Sequence, residues 1–266
     1  MSYRYGNRDR IHRARGSTSL RAEKFGKSFI SHLLAERDRT FKLSPLDRIP
    51  DGVVFDLDGT LLDTETLSRD LFIRACLEIG CECKIELYEE TIGLNVRQAH
   101  ALFFDRLGSD YPYVEIRQLT SKWFSERINE SPVATKQGSL TLLDTLASLN
   151  IKIGLCTSTG RKSVEICLDQ LDFSRYFSEM VCGGESEEGK PHPSPYLNIA
   201  RKMSIKPQTS WAIEDSRNGV RSACSAGYQV LHVPDHNSLS HDMSDMSVTT
   251  YASLTDIARE VKQIGA

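Results

Sequence analysis

Two aspartates that follow a short apolar run place the strongest constraint on how this chain folds. Val53, Val54 and Phe55 are apolar without alternation, which is typical of a strand buried on both faces of a parallel sheet. Asp56 and Asp58 come directly after it, and carboxylates two residues apart in an extended segment point to the same side. Adjacent anions repel each other unless a cation or a shared proton relieves them. We therefore expect a buried parallel strand whose end holds a divalent cation.

Two patterns divide the rest of the chain. Residues 65–131 carry helical periodicity and no strong strand, whereas from residue 138 predicted helices alternate with short apolar strands up to residue 233. This alternation predicts a parallel sheet with right-handed crossovers. The predicted fold class is α/β, a Rossmann-like doubly wound parallel sheet with an inserted α-helical cap. The expected domains are a basic N-terminal extension at 1–48, an α/β core at 49–65 and 132–266, and the cap at 66–131.

Polar residues follow further predicted strands of the alternating region. They are Thr157 and Ser158, then Lys190, then Glu214 and Asp215. The carboxyl ends of parallel strands face one crevice, so these groups are expected beside the first pair of acids. Taken one at a time, the Ser, Thr and Asp residues could simply be helix N-caps, a position where these residue types are common. Their convergence favours a site of acids, hydroxyls and one lysine, which suits Mg²⁺ together with a phosphate group.

Composition limits the class of partner. The formal net charge is −3, which gives no reason to expect nucleic acid or an anionic membrane as the main partner. No apolar run approaches the roughly 18 residues of a membrane span. The seven cysteines have no framework spacing, as expected of reduced thiols. We therefore expect a cytoplasmic protein that acts on a small molecule, as a monomer or a weak homodimer.

Positive charge is concentrated at the N-terminus. Residues 1–48 hold twelve Lys or Arg against five Asp or Glu, a balance of +7. We interpret this segment as a solvated or peripherally docked extension, with an anion-binding arm as the alternative. Residues 28–37 are predicted to form one short amphipathic helix.

The motifs together resemble the haloacid dehalogenase-like hydrolase superfamily over residues 50–255, in its phosphoglycolate phosphatase and β-phosphoglucomutase branch. They are DLDGT at 56–60, Thr157, Lys190 in GKPHPSPY and Glu214-Asp215 in IEDSRNGV. The resemblance implies a Mg²⁺-dependent phosphatase that hydrolyses a small phosphorylated metabolite, a sugar phosphate or similar phosphomonoester, through an aspartyl-phosphate. It makes Asp56 the nucleophile and Asp58 the general acid and base, while Thr157 and Lys190 bind phosphoryl oxygens. The implied Mg²⁺ ligands are Asp56, the backbone carbonyl of Asp58, Asp215 and Glu214.

Additional substrate contacts are predicted from the same resemblance. They are Gly59, Arg97, Ser158 and Arg161. Arg97 ends a cap segment, Gly93 to Arg97, that resembles the substrate-facing loop of the family.

Two departures from the mutase pattern favour a phosphatase. The mutases carry a histidine after the first motif, where this chain has Ser68, and a lysine soon after the second, where it has Gly160 and Arg161. A phosphomutase is the alternative function, and a non-catalytic phospho-acceptor or binding protein is a more distant one.

Overall fold

A six-stranded, wholly parallel sheet organises the described part of the chain, which in this computed structural model is residues 48–92, 96–235, 243 and 246–264. The strands are β1 Gly52–Phe55, β2 Lys152–Cys156, β3 Glu179–Val181, β4 Trp211–Glu214, β5 Gln229–His232 and β6 Val248–Thr250. Their order is β3-β2-β1-β4-β5-β6, so β1 lies inside the sheet and pairs with both β2 and β4. All four residues of β1 are buried, as its unbroken apolar run predicts.

Helices cover both faces of the sheet. On one face the apolar residues of α5 Ser139–Ser148, α6 Arg161–Gln170 and α9 Leu254–Ile264 join Val53 and Phe55 in one buried cluster. On the other face α7 Ser194–Met203 and α8 Arg217–Ala226 pack around Val54. Successive residues of β1 therefore pack against helices on opposite faces of the sheet, which is the arrangement of a doubly wound sheet. The predicted fold class is confirmed.

A block of helices is inserted after β1. It consists of α1 Thr64–Ile79, α2 Ile85–Glu89, α3 Val96–Leu107 and α4 Tyr113–Glu130. These helices have their own apolar cluster around Phe72, Phe103 and Ile116. The chain segments that enter and leave the block run side by side, because the Asp63 N–H donates to the Ala134 carbonyl at 2.8 Å. The domain boundaries at 66 and 131 remain a prediction.

The described residues between 65 and 131 form helices without a strand, and the predicted alternation of helices and strands is present from residue 138 to residue 233. Strand β6 and helix α9 lie beyond that region and were not predicted. In α9 the buried residues Leu254, Ile257, Ala258 and Val261 recur at helical spacing, so the signal for this helix is present in the sequence. The predicted helix at 28–37 and cap residues 93–95 lie outside the described residues. Among the helices that are described, none combines the length and apolar character needed to cross a membrane.

Candidate active site

The ends of three adjacent strands bring predicted site residues together. Asp56 follows β1, Thr157 follows β2 and Asp215 follows β4, and all three are buried. The Asp56 N–H donates to the Ile213 carbonyl at 3.0 Å, and the Thr157 N–H donates to the Val181 carbonyl at 3.0 Å. Neighbouring strands thus hold these residues just beyond the sheet, at the edge where parallel α/β sheets bind ligands.

Lys190 reaches this edge from the segment that precedes α7, with its side chain only 7% exposed. Its Nζ donates to Asp56 Oδ1 at 2.6 Å, to Glu214 Oε1 at 2.6 Å and to the Cys156 carbonyl at 2.8 Å. An ammonium group has three N–H donors, so each has an acceptor. Burial lowers the pKa of Lys190, but the charges of Asp56 and Glu214 outweigh burial and raise that pKa well above its usual value. The lysine is therefore a fixed cation.

Glu214 is fully buried beneath this lysine. Besides Lys190, its Oε1 accepts a hydrogen bond from the Tyr196 hydroxyl at 2.8 Å, and its Oε2 accepts one from the Ser216 hydroxyl at 3.3 Å. A Cβ on Gly219 would lie 2.0 Å from Glu214 Oε1, so the carboxylate packs directly on a glycine of α8. Glu214 is the buried counter-ion of Lys190, while its role as a metal ligand remains a prediction.

Asp58 is held by two threonine hydroxyls. Its Oδ2 accepts from Thr157 Oγ1 at 3.1 Å and from Thr159 Oγ1 at 2.7 Å. The Thr159 N–H also donates to Thr157 Oγ1 at 3.0 Å, which fixes the two hydroxyls relative to each other. The binding of phosphoryl oxygens by Thr157 stays a prediction, and the sequence motifs assign no role to Thr159. In the structure both residues orient the carboxylate of Asp58.

Asp215 is positioned by residues of the first motif. Thr60 Oγ1 donates to Asp215 Oδ1 at 2.9 Å, and a Cβ on Gly59 would lie only 2.3 Å from Asp215 Oδ2. Gly59 also has φ +73°, a conformation that residues with a side chain rarely adopt. Gly59 therefore gives Asp215 room to approach Asp56.

Carboxylates crowd this edge of the sheet. One oxygen from each of Asp56, Glu214 and Asp215 lies within 4.8 Å of the other two. Burial raises the pKa of Asp56 to about 8 against the opposing charge of Lys190, and burial with the charge of Asp56 raises the pKa of Asp215 well above its usual value. A bound cation relieves such repulsion. The donors are all oxygens, so the set fits a hard divalent cation.

A cavity of about 800 Å³ opens over these groups. Its lining includes Asp56, Asp58, Thr157, Ser158, Lys190 and Asp215 from the α/β part of the chain. From the inserted helices, Glu65, Ser68 and Arg117 also line it. Burial and the charge of Asp58 raise the pKa of Glu65 to about 7. Sequence reasoning missed Glu65 and Arg117, because a charged residue on an amphipathic helix gives no sign of facing a cavity rather than solvent.

Three predicted substrate contacts, Gly59, Arg97 and Arg161, are not among the residues that line this cavity. Arg97 is exposed on α3, next to Val96, which does line the cavity. The Arg161 guanidinium binds both carboxylate oxygens of Glu185, at 2.5 and 2.8 Å, and also the Met180 carbonyl at 3.2 Å. Glu185 therefore occupies the face of Arg161 that a substrate anion would need. Substrate binding by Gly59, Arg97 and Arg161 stays a prediction.

Known proteins are similar in sequence to this chain over most of its described length. Residues 53–233 match the family described as haloacid dehalogenase-like hydrolase. A phosphorylated carbohydrates phosphatase of Thermotoga maritima is 30% identical over 190 residues, which cover 68% of this chain and 86% of that protein. A phosphoglycolate phosphatase of Escherichia coli strain K12 is 30% identical over 201 residues, 66% of this chain and 78% of that one.

Solved structures agree with these matches. The crystal structure of a putative β-phosphoglucomutase from Thermotoga maritima superposes with a TM-score of 0.65 at 25% identity, covering 80% of this chain and 99% of that chain. The family predicted from the motifs is thereby confirmed, in its phosphoglycolate phosphatase and β-phosphoglucomutase-like branch, and so is the prediction of an enzyme. The chain belongs to the haloacid dehalogenase-like hydrolases.

Proposed function

We propose that this protein is a Mg²⁺-dependent phosphatase of small phosphorylated metabolites that works through an aspartyl-phosphate. The observation that carries the proposal is the placement of two unlike carboxylates at one cavity. Asp56 is buried against Lys190, whereas Asp58 is partly exposed and held by two hydroxyls. Two acids in contrasting surroundings are suited to different chemical roles.

Asp56 is the proposed nucleophile. Its carboxylate oxygen attacks the phosphorus of the bound monoester, the bond from phosphorus to the alcohol oxygen breaks, and an aspartyl-phosphate forms. Lys190, already 2.6 Å from Asp56 Oδ1, neutralises charge on the phosphoryl oxygens during transfer.

Asp58 is the proposed general acid and base. It gives a proton to the departing alcohol oxygen, and the carboxylate that results takes a proton from the water that hydrolyses the aspartyl-phosphate. The hydroxyls of Thr157 and Thr159 both bond to Oδ2, which leaves Oδ1 of Asp58 for the proton. In this proposal the threonines set the direction in which the proton is delivered.

The acidic cluster is the proposed Mg²⁺ site. Asp56 and Asp215 would hold the ion with the backbone carbonyl of Asp58, and Glu214 stays paired with Lys190. When bound, Mg²⁺ supplies positive charge that screens the carboxylates from the incoming phosphate. Thr60 and Gly59 set the position of the Asp215 carboxylate, which would hold the ion.

The proposed substrate is a sugar phosphate or a similar hydroxylated phosphomonoester. The cavity volume of about 800 Å³ is within the usual range of about 300–1,000 Å³ for small-molecule sites. Polar groups of the inserted helices, among them Glu65, Ser68 and Arg117, offer hydrogen bonds to substrate hydroxyls. A phosphorylated carbohydrates phosphatase and phosphoglycolate phosphatases among the relatives support this class.

A phosphomutase is the second candidate, because a β-phosphoglucomutase-like structure is among the neighbours. Ser68 lines the cavity at the position where the mutases carry a histidine. A serine hydroxyl does not titrate near neutral pH as an imidazole does, so it cannot replace that histidine as a proton carrier. This difference favours hydrolysis.

The test is release of inorganic phosphate by the purified protein, first from p-nitrophenyl phosphate and then from a panel of phosphorylated metabolites. We expect activity with Mg²⁺, its loss in EDTA, and its loss in Asp56→Asn. Equal activity in wild type and Asp56→Asn would contradict the nucleophile. A sugar phosphate that isomerises without net phosphate release would identify a mutase instead.

A further inference from the structure

We propose that Tyr196 is a positioning residue that holds Lys190 in its working orientation through Glu214. This inference rests on the proposed function of Lys190 and extends it to Tyr196, the last residue of GKPHPSPY, to which the sequence analysis assigns no role. The Tyr196 hydroxyl donates to Glu214 Oε1 at 2.8 Å, and the same oxygen accepts from Lys190 Nζ at 2.6 Å. One carboxylate oxygen therefore joins the two side chains.

Tyr196 also contacts the lysine directly. The Lys190 Nζ lies 5.3 Å from the centre of the Tyr196 ring, within the range of a cation–π contact. The ring thus lines the path of the lysine side chain while its hydroxyl reaches the counter-ion. Both contacts come from one residue in the first turn of α7, only six positions after Lys190.

The ring of Tyr196 is itself held by packing, which a phenylalanine at position 228 would preserve. It is fully buried, and the ring of Tyr228 packs edge-on against it with 5.4 Å between ring centres. The Tyr228 hydroxyl donates to the Tyr196 carbonyl at 3.2 Å. Burial and the nearby charge of Glu214 raise the pKa of Tyr196 well above its usual value, so its hydroxyl keeps the proton that it donates.

The need for such a support follows from the donors of Lys190. In this structure its three N–H groups go to Asp56, Glu214 and the Cys156 carbonyl. When a phosphoryl group is attached to Asp56, the carboxylate of Asp56 loses its negative charge. The Lys190 N–H that donated to this carboxylate then becomes free for a phosphoryl oxygen. The other two bonds must then keep the ammonium in place. Without the Tyr196 hydroxyl, Glu214 keeps the Ser216 hydroxyl on Oε2 but loses the bond that fixes Oε1, the oxygen that accepts from Lys190.

The experiment compares Tyr196→Phe with Tyr228→Phe in the full chain. Each variant keeps the ring and removes one buried hydroxyl, but only the Tyr196 hydroxyl touches Glu214. We expect kcat to fall about tenfold in Tyr196→Phe with KM changed less than about twofold, which matches the loss of one hydrogen bond to a charged group. We expect Tyr228→Phe to keep the wild-type kcat, with a similar melting temperature in both variants.

A second readout does not depend on catalysis. The buried ammonium of Lys190 exchanges its protons slowly enough for a ¹H–¹⁵N signal, which is identified by its absence in Lys190→Met. We expect this signal to shift or broaden in Tyr196→Phe and to stay unchanged in Tyr228→Phe. The same signal in both variants, or the same kcat in both, would overturn the positioning role.

The two readouts separate this inference from the proposed function. If wild-type protein releases no phosphate from any monoester, the phosphatase proposal fails, and the Lys190 signal still decides whether Tyr196 positions the lysine. If wild type is active and Asp56→Asn is not, equal kinetics in the two tyrosine variants overturn only the role of Tyr196.

Discussion

Asp56 and Asp58 carry the same side chain two residues apart, and their neighbours make them different. Burial raises the pKa of Asp56 to about 8, while the Lys190 ammonium 2.6 Å away lowers that pKa and favours the ionised form that a nucleophile needs. Asp58 is half-buried in the cavity and accepts hydrogen bonds from Thr157 and Thr159. Contrasting surroundings of this kind separate a nucleophile from a proton donor.

Thr159 should matter for catalysis because it donates the shorter of the two hydrogen bonds to Asp58, at 2.7 Å. We expect Thr159→Val to lower kcat about five- to tenfold, since one hydrogen bond to a charged group is lost. Steady-state phosphate release measures this. The control is Thr145→Val, which removes a buried hydroxyl that bonds only within α5. Equal loss of kcat in both variants would contradict the role of Thr159.

Glu65 should make the stability of the metal-free protein depend on pH. Its pKa is raised from the usual 4.5 to about 7 by burial and by Asp58. A raised carboxyl pKa means that the unfolded chain gives up this proton first, so stability falls as the pH rises from about 4.5 to 7. Glu65→Gln should remove this contribution to the fall, although that of Asp56 and Asp215 remains, and should be more stable than wild type by about 1–2 kcal/mol at pH 8.

Urea unfolding in EDTA at pH 4.5 and at pH 8 tests this prediction. We expect the two proteins to be alike at the lower pH, where the carboxyl group keeps its proton in the folded state. A difference of equal size at both pH values would mean that the glutamine acts through packing instead.

Long-range pairing explains which site residues the sequence could reveal. Asp56, Lys190 and Asp215 follow strands or precede a helix, so local patterns identify them. Thr159 lies 101 positions from Asp58 in the chain, and nothing near either residue signals their contact. Tyr196 was likewise read only as part of a motif, because its hydroxyl partner Glu214 is known only once α7 and β4 are packed together.

The turn after β1 is the element on which the acidic cluster depends. Gly59 in this turn has φ +73°, and a Cβ there would lie 2.3 Å from Asp215 Oδ2. We expect Gly59→Ala to displace Asp215 and to raise the Mg²⁺ concentration for half-maximal activity about tenfold or more, because a cation ligand moves.

Gly108→Ala is the matched control for that change. Gly108 has φ +81°, and a Cβ added there meets nothing within 4 Å. It therefore introduces similar backbone strain far from any carboxylate of the cluster. If both variants show the same Mg²⁺ dependence, the contact between Gly59 and Asp215 is not what the metal requires.

At the level of elements, the local hydrophobic pattern predicted most of the sheet and its helices. The two exceptions have different physical causes. Strand β6 is three half-buried residues whose one partner among the described strands is β5, so it has too little apolar periodicity to be recognised. Helix α9 differs, because its apolar residues recur at helical spacing and its sequence therefore carries the signal that β6 lacks.

The molecule as a whole brings three carboxylates together at one edge of the sheet, where a bound cation would reduce their mutual repulsion. In the described residues the acids of the cluster lie at the edge of the sheet and the inserted helices supply further polar groups to the same cavity. The sequence predicted that such an insertion exists. It did not predict which of its side chains face the cavity, because that depends on how the helices pack over the sheet.

Mg²⁺ should therefore stabilise the whole fold. An ion that binds only the folded state raises stability in proportion to the logarithm of its concentration above Kd. We expect the melting temperature to rise by about 2–4 °C at saturating Mg²⁺, equivalent to about 1 kcal/mol for a chain of this size. Differential scanning calorimetry with and without EDTA measures the change. In Asp215→Asn the rise should disappear, and an unchanged rise would place the ion elsewhere.

The central claim, that the Asp56 carboxylate carries the phosphoryl group, is tested most directly by trapping it. Protein turning over substrate is quenched in acid and reduced with borohydride, which converts an aspartyl-phosphate to homoserine, and its peptides are then read by mass spectrometry. We predict homoserine at position 56, in larger amount in Asp58→Asn turning over p-nitrophenyl phosphate, whose leaving group departs without a proton, so that the variant mainly slows release of phosphate. Turnover with an unmodified residue 56, or homoserine at another aspartate, would contradict the account.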